Sequence, residues 1–425
     1  MYRLSLLFAL LSFSLLLPAQ DEGLAYEDRI YKSNIRSVLF HVNGLVLTQP
    51  IIDLSTGVAL QLTFDDMDAD TKNYTYAIVH CNADWTPSTL AEMEYVDGFA
   101  EDRIIDWSFS AKTLKPYTQY TVRLPHNDMR ITKSGNYLLK VYEDERDKTL
   151  AITRRFMVVE PLTRITARVM NPAQVSKIKT HQEIDFTVDY ERINLRAPQQ
   201  EVWATVLQNG RWDNAITGIP PMFVRKDQLV FDFQDKIVFP GGKEFRFFDF
   251  RLLRSRMPGV ATIEQVGKSY EVVMEREAVR SGTPYIQYED INGQFVIETR
   301  DQRNPLSAEY LDVLVSLNAA EPYPNHEVYI IGKLTDWQPK EEFRMVYNPA
   351  VNAYVAKLLL KQGFHNYMYA LVPRQSKDRR PNTSEMEGDW FETENDYTIL
   401  IYYRPLGERY DRIIGVLTHN SNAPR

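Results

Sequence analysis

Apolar positions recur with period two along most of the chain, the mark of strands with one face against a core. Val58, Leu60, Leu62 and Phe64 alternate with Ala59, Gln61 and Thr63, and Tyr74, Tyr76 and Ile78 repeat the pattern after an acidic turn. Further strands follow at Tyr120, Val122 and Leu124, then at Tyr137, Leu139 and Val141, and Phe156 and Val158 close the series before Glu160-Pro161. Short strands parted by turn residues at this spacing predict a β-sandwich over residues 21–160. A second begins at Ile165, Ala167 and Val169. It includes Ile184, Phe186, Val188 and Tyr190, and a run at 202–207, apolar on both faces, that predicts burial on both faces. Phe245, Phe247 and Phe250 lie in an aromatic strand region, and Val272-Val273-Met274 ends this unit near 280. Ser281-Gly282-Thr283-Pro284 marks the next boundary. Asn292-Gly293 is the strongest hairpin signal beyond it, ahead of strands at 310–317 and 328–332. No amphipathic helical run exceeds two or three turns. The predicted architecture is all-β: tandem immunoglobulin- or fibronectin-III-like sandwiches over 21–160, 161–280 and 281–418, with a flexible tail at 419–425.

The ends and the composition narrow the class. Arg3, the uncharged apolar run 4–17 and Pro18-Ala19-Gln20 read as a signal peptide over 1–19, too short for a membrane span. The expected mature protein is exported and does not insert in the membrane. Its net charge of −8 in the full 425-residue chain argues against a nucleic-acid partner. Cys81 is the only cysteine, so no intramolecular disulfide forms. Its neighbour His80 points to the opposite face of a strand, which makes a buried structural thiol the expectation.

Three dense blocks carry the unusual residues: His80-Cys81-Asn82-Ala83-Asp84-Trp85; Gln208-Asn209-Gly210-Arg211-Trp212-Asp213-Asn214; and Phe239-Pro240-Gly241-Gly242-Lys243-Glu244-Phe245. His80, Asn82, Asp84 and Trp85 form either a ligand site or a turn capped by Asn82 and Asp84 with Trp85 in the core. Asn209, Arg211, Trp212 and Asp213 pose the same choice, with Arg211 pairing Asp213 or stacking on a tryptophan. Asp66, Asp68 and Asp70 match the start of a calcium loop, but Thr71 and Ala77 occupy its glycine and glutamate positions, so an acidic turn is expected and no metal site. The sequence carries no zinc spacing, nucleophile elbow or phosphate loop, and neither an enzyme nor a cofactor is expected.

Taken in order, these blocks resemble the plug-protein family of the Bacteroidetes type IX secretion system, over 33–415. The resemblance implies a non-catalytic periplasmic protein, peripheral to the inner face of the outer membrane, whose partner is the outer-membrane translocon barrel. Gly332-Lys333-Leu334-Thr335-Asp336-Trp337, with Gln362-Gly363 and Tyr367-Met368-Tyr369, is similar to the early-set sandwiches of glycogen- and starch-acting enzymes. That second likeness implies an alternative, a periplasmic glycan-binding protein or glycosidase module, with Trp337 and Trp390 stacking on sugars.

Overall fold

The computed structural model describes residues 23–423 apart from 145 and 147. The expected signal peptide and the last two residues lie outside the described residues. The chain forms three β lobes, each built where alternating apolar residues from two sheet faces meet.

In the N-terminal lobe, strands Ile35–Val42, Leu60–Asp66, Thr118–Leu124 and Asp106–Phe109 make one antiparallel sheet. Tyr74–Cys81, Gly135–Glu143 and Thr149–Val159 belong to the facing sheet. Phe40 and Phe156 meet edge to face across the layers at 5.9 Å, and Phe64 stacks on Tyr120 at 5.2 Å. Aromatic pairs of this geometry add about 0.5–1.5 kcal/mol beyond their buried area.

The second sheet does not stop at the lobe boundary. Val159 pairs in parallel with Ile413, and the sheet continues through Arg412–Asn420, Asp396–Tyr403, Val202–Gln208 and Ile216–Ile219 to a total of ten strands. Val202, Ala204 and Val206 enter the middle core, while Leu207 joins a separate cluster with Cys81, Trp85, Leu138, Met157 and Tyr402 between the lobes. This is the burial on both faces that the run at 202–207 predicted.

The division of the chain differs from the expected one. The middle core takes Ile184, Phe186 and Val188 with Tyr397, Ile399, Ile401 and Ile414, so the chain leaves this lobe near Pro240 and returns at Asp396. Phe248, Val260, Val272 and Met274, expected in the second sandwich, pack instead into the C-terminal core with Leu311, Val313, Val328 and Tyr367. The C-terminal lobe is therefore an insertion within the middle one, and neither 161–280 nor 281–418 is a unit. The reason is pairing: Ser269–Met274 runs parallel to Tyr310–Asn318, and Arg246–Asp249 pairs with Gly363–Pro373. The expected tail also begins late, since Arg412–Asn420 is strand to its end.

Asn292-Gly293 forms its turn, with φ of +52° and +78° and Gln294 N–H donating to the Ile291 carbonyl at 3.1 Å. It joins no hairpin, because Phe295–Ile297 pairs with Gly363–Pro373 and the residues before the turn pair with no strand. The turn is held by Trp337: a Cβ on Gly293 would lie 2.2 Å from the indole.

Candidate site at the junction of the lobes

The unusual residues gather where the three lobes meet, and most of them do structural work there. Asp84 Oδ1 accepts from Thr86 N–H at 3.0 Å and from its hydroxyl at 2.6 Å, and Asn82 Oδ1 accepts from Arg404 at 3.0 Å. That is the capped turn. It throws Trp85 into a left-handed conformation, φ +67°, with its ring buried. His80 is buried among Tyr95, Tyr137 and Tyr410, and Nε2 lies 3.2 Å from the Ser134 carbonyl. Burial lowers its pKa to about 4 against that hydrogen bond, so it is neutral at pH 7. Burial likewise raises the Cys81 thiol to about 12, leaving it without thiolate character. Neither can serve as an accessible base or nucleophile.

Asn209, at φ +53°, bridges to the returning strand: its Nδ2 donates to Asn395 Oδ1 at 2.8 Å and its Oδ1 accepts from Asp396 N–H at 2.9 Å. Arg211 forks onto Asp213 at 2.7 and 3.1 Å, and the guanidinium lies 4.5 Å from the Trp337 ring centroid. Both alternatives weighed for Arg211 thus hold at once. Trp212 meets Trp85 edge to face at 4.9 Å. Arg155, which no motif singled out, lies 4.3 Å from Trp85 and 5.3 Å from Trp212. The result is a set of three tryptophans with two guanidiniums, one tryptophan from each lobe.

Trp337 is 4% exposed, with Gly293 and Phe245 against it and Arg211 over it. It offers no free face to a sugar, which corrects the expectation that it stacks on glycan. Trp390 is half-buried, 6.1 Å from Tyr285 and 6.0 Å from Lys243. These two rings do not come together: Trp337 borders the junction cavities, and Trp390 lines neither of them.

Charge at the junction is internally matched. Lys333 Nζ lies 3.0 Å from Asp28, whose Oδ1 accepts from Arg155 N–H at 2.7 Å. Asp336 pairs with Lys340 at 2.8 Å and with Arg154 at 3.5 Å. Burial alone would raise both carboxyls, but the surrounding cations outweigh it and hold them below the usual range. Among the cavities at the junction are two that share a wall, of about 440 Å³ and 230 Å³. Trp212, Trp337, Arg155 and Lys333 border both. In the acidic turn, Asp66 and Asp68 are engaged by Lys72 and Asn34. Among the described residues no group of three or more His, Cys, Asp or Glu could hold a metal, and no helix is long and apolar enough to cross a membrane.

The sequence missed Arg155, Asp28 and the segment 43–50, and marked Lys333 only as part of the block that ends in Trp337. A faint signal was present: Asp-Trp occurs at 84–85 and 336–337, each at a turn with the indole residue at positive φ.

Residues 35–160, the N-terminal lobe with its capped turn, match the family described as type 9 secretion system plug protein 1st domain. The crystal structure of a hypothetical protein from Parabacteroides merdae is 32% identical, covering 93% of this chain and 100% of that one, with a TM-score of 0.88. The BSP domain of a biofilm associated protein aligns at 7% identity over 92% of this chain and 59% of that chain, and its TM-score of 0.17 carries no argument. No curated protein matches. The chain belongs to the type 9 secretion system plug protein family.

Proposed function

We propose that this protein is a non-catalytic periplasmic plug that caps the periplasmic opening of the type IX outer-membrane translocon when no cargo fills it. Family membership supports this role. The observation that carries the mechanism is that each lobe is bound to both others, as a stopper closing a wide pore requires. Buried Lys361 of the C-terminal lobe reaches Asp65 of the N-terminal lobe at 2.6 Å. Tyr402 of the middle lobe donates to Asn136 of the N-terminal lobe at 2.9 Å, beside the shared sheet. Asn292 of the C-terminal lobe donates to Asp396 of the middle lobe at 3.0 Å. Ties on all three sides close a triangle, so one lobe cannot swing away without breaking two interfaces. Strand backbones are paired within sheets, which leaves loops and sheet edges for the partner. Catalysis has no part in this role.

The test is uptake of a small impermeant solute. Deletion should raise outer-membrane permeability in cells that have the translocon and leave it unchanged in cells that lack it. Secretion should persist, since a stopper is not the conduit. Unchanged permeability in the first strain contradicts the reading.

A further inference from the structure

We propose that the junction cavity bordered by Phe40, Trp212 and Phe295, with residues 45–47 at its lip, is the socket that receives a short apolar segment of the partner protein. The proposal rests on the plug reading above and adds to it the contact surface.

The cavity of about 440 Å³ lies within the range of preformed binding pockets. Its wall is mainly apolar, including Phe40, Pro50, Met157, Trp212, Phe295 and Val416. The charged groups on it, Asp28 and Asp396 against Arg155 and Lys333, balance in sign. They are also engaged: Lys333 with Asp28, Asp396 with Asn292 and Asn420, and Arg155 Nε with the Tyr26 carbonyl at 2.8 Å. A charged ligand would find no free counter-charge, whereas an apolar one gains from leaving water.

The lip supplies the second observation. Leu45, Val46 and Leu47 are 57%, 40% and 44% exposed, three consecutive aliphatic side chains facing water. They do not sit on a loose loop. Leu45 N–H donates to the Val42 carbonyl, and the Thr48 hydroxyl accepts from Val42 N–H at 3.1 Å and donates to the Leu45 carbonyl at 2.7 Å. Gln294 of the C-terminal lobe donates to the Leu47 carbonyl at 2.9 Å, and Gln49 donates to Thr398 of the middle lobe at 2.6 Å. All three lobes therefore hold this apolar turn at the cavity mouth. Val46 and Leu47 also line the cavity, so lip and wall form one surface. A protein segment suits it better than a lipid surface, because a chain of net charge −8 is repelled by anionic headgroups.

The experiment measures binding of the full-length mature protein to detergent-purified translocon from cells without cargo. Leu47→Asp puts a charge on the exposed lip. Val416→Trp fills the cavity from a strand position that is 38% exposed. Ile286→Asp, at a site 69% exposed and outside the cavity, is the control. Circular dichroism and melting confirm that each variant is folded. Leu47→Asp and Val416→Trp should each weaken binding at least ~10-fold, with Ile286→Asp within about twofold of wild type, since about 1.4 kcal/mol separates tenfold steps. If wild type binds and Val416→Trp binds equally well, the socket is wrong while the plug reading stands; loss with Leu47→Asp alone overturns the socket in the same way. If wild type does not bind, both fail.

Discussion

Replacing Lys361 by methionine should loosen the whole molecule. The ammonium and the Asp65 carboxylate are each 1% exposed and 2.6 Å apart, with the Lys361 Nζ 3.8 Å from the Tyr117 ring centroid. Without the cation, Asp65 keeps Tyr310 O–H at 2.7 Å and Gln119 at 3.2 Å but remains a buried charge without a counter-ion. Breaking a buried pair in this way costs about 3–5 kcal/mol. Unfolding entropy near 2.1 cal/mol/K per residue, over roughly 400 residues, makes each kcal/mol worth about 1.2 °C. The shared ten-stranded sheet argues that the lobes melt together, so Tm should fall about 4–6 °C in differential scanning calorimetry. The double variant Lys361→Met with Asp65→Asn removes both charges and leaves Tyr310 an acceptor; it should recover at least half of the loss. A fall under about 1 °C, or a double variant no better than the single one, refutes the assignment of this pair as the tie between the N- and C-terminal lobes.

Three further outcomes follow from the junction and its surroundings. Burial depresses His80 to about 4, below the unfolded value of about 6.5, so the unfolded chain binds the extra proton in that window. Stability is lost as pH falls through it, by about 2–3 kcal/mol per such histidine at pH ~4.5. His80→Phe should reduce the loss between pH ~7 and ~4.5 by about that amount in urea titrations, and an unchanged loss counts against it. Gly293→Ala combines φ +78° with a contact 2.2 Å from Trp337, and should destabilise by about 2–3 kcal/mol in urea titration while shifting the tryptophan emission. Cys81 should resist iodoacetamide at pH ~8 in the native protein and react fully in urea, whereas rapid native labelling contradicts its burial.

Local patterning made the strands legible. Ile184, Phe186 and Val188 stand in the core as their alternation required, and the apolar faces of the run at 202–207 foretold a strand between two layers. Alternation blurs at element ends: Val58, read as strand, is 42% exposed, and the strand starts at Leu60. What alternation cannot encode is partner choice. Val202–Gln208 pairs with Asp396–Tyr403 across nearly two hundred positions, and no local signal separates that pairing from one with a sequence neighbour. The inserted C-terminal lobe was hidden for this reason. Asn292-Gly293 was read correctly as a turn and wrongly as a hairpin, because turn chemistry fixes φ but not what flanks it.

The junction was half legible. The blocks holding Trp85 and Trp212 were singled out by their rare residues, yet the guanidinium between them belongs to Arg155, an ordinary strand position. The Asp-Trp pair could have linked Trp85 to Trp337, but it also occurs at 106–107 and 389–390, where the tryptophans have negative φ and lie elsewhere. The cavity and its apolar lip are assembled from residues scattered between Asp28 and Thr418, so only the folded chain shows them.

The most direct test of the central claim is recovery of the tagged protein from native envelopes under two conditions, translocons emptied of cargo and translocons loaded with it. The outer-membrane barrel should co-purify from the empty state and be lost from the loaded one. No barrel in either state, or equal recovery in both, would contradict it.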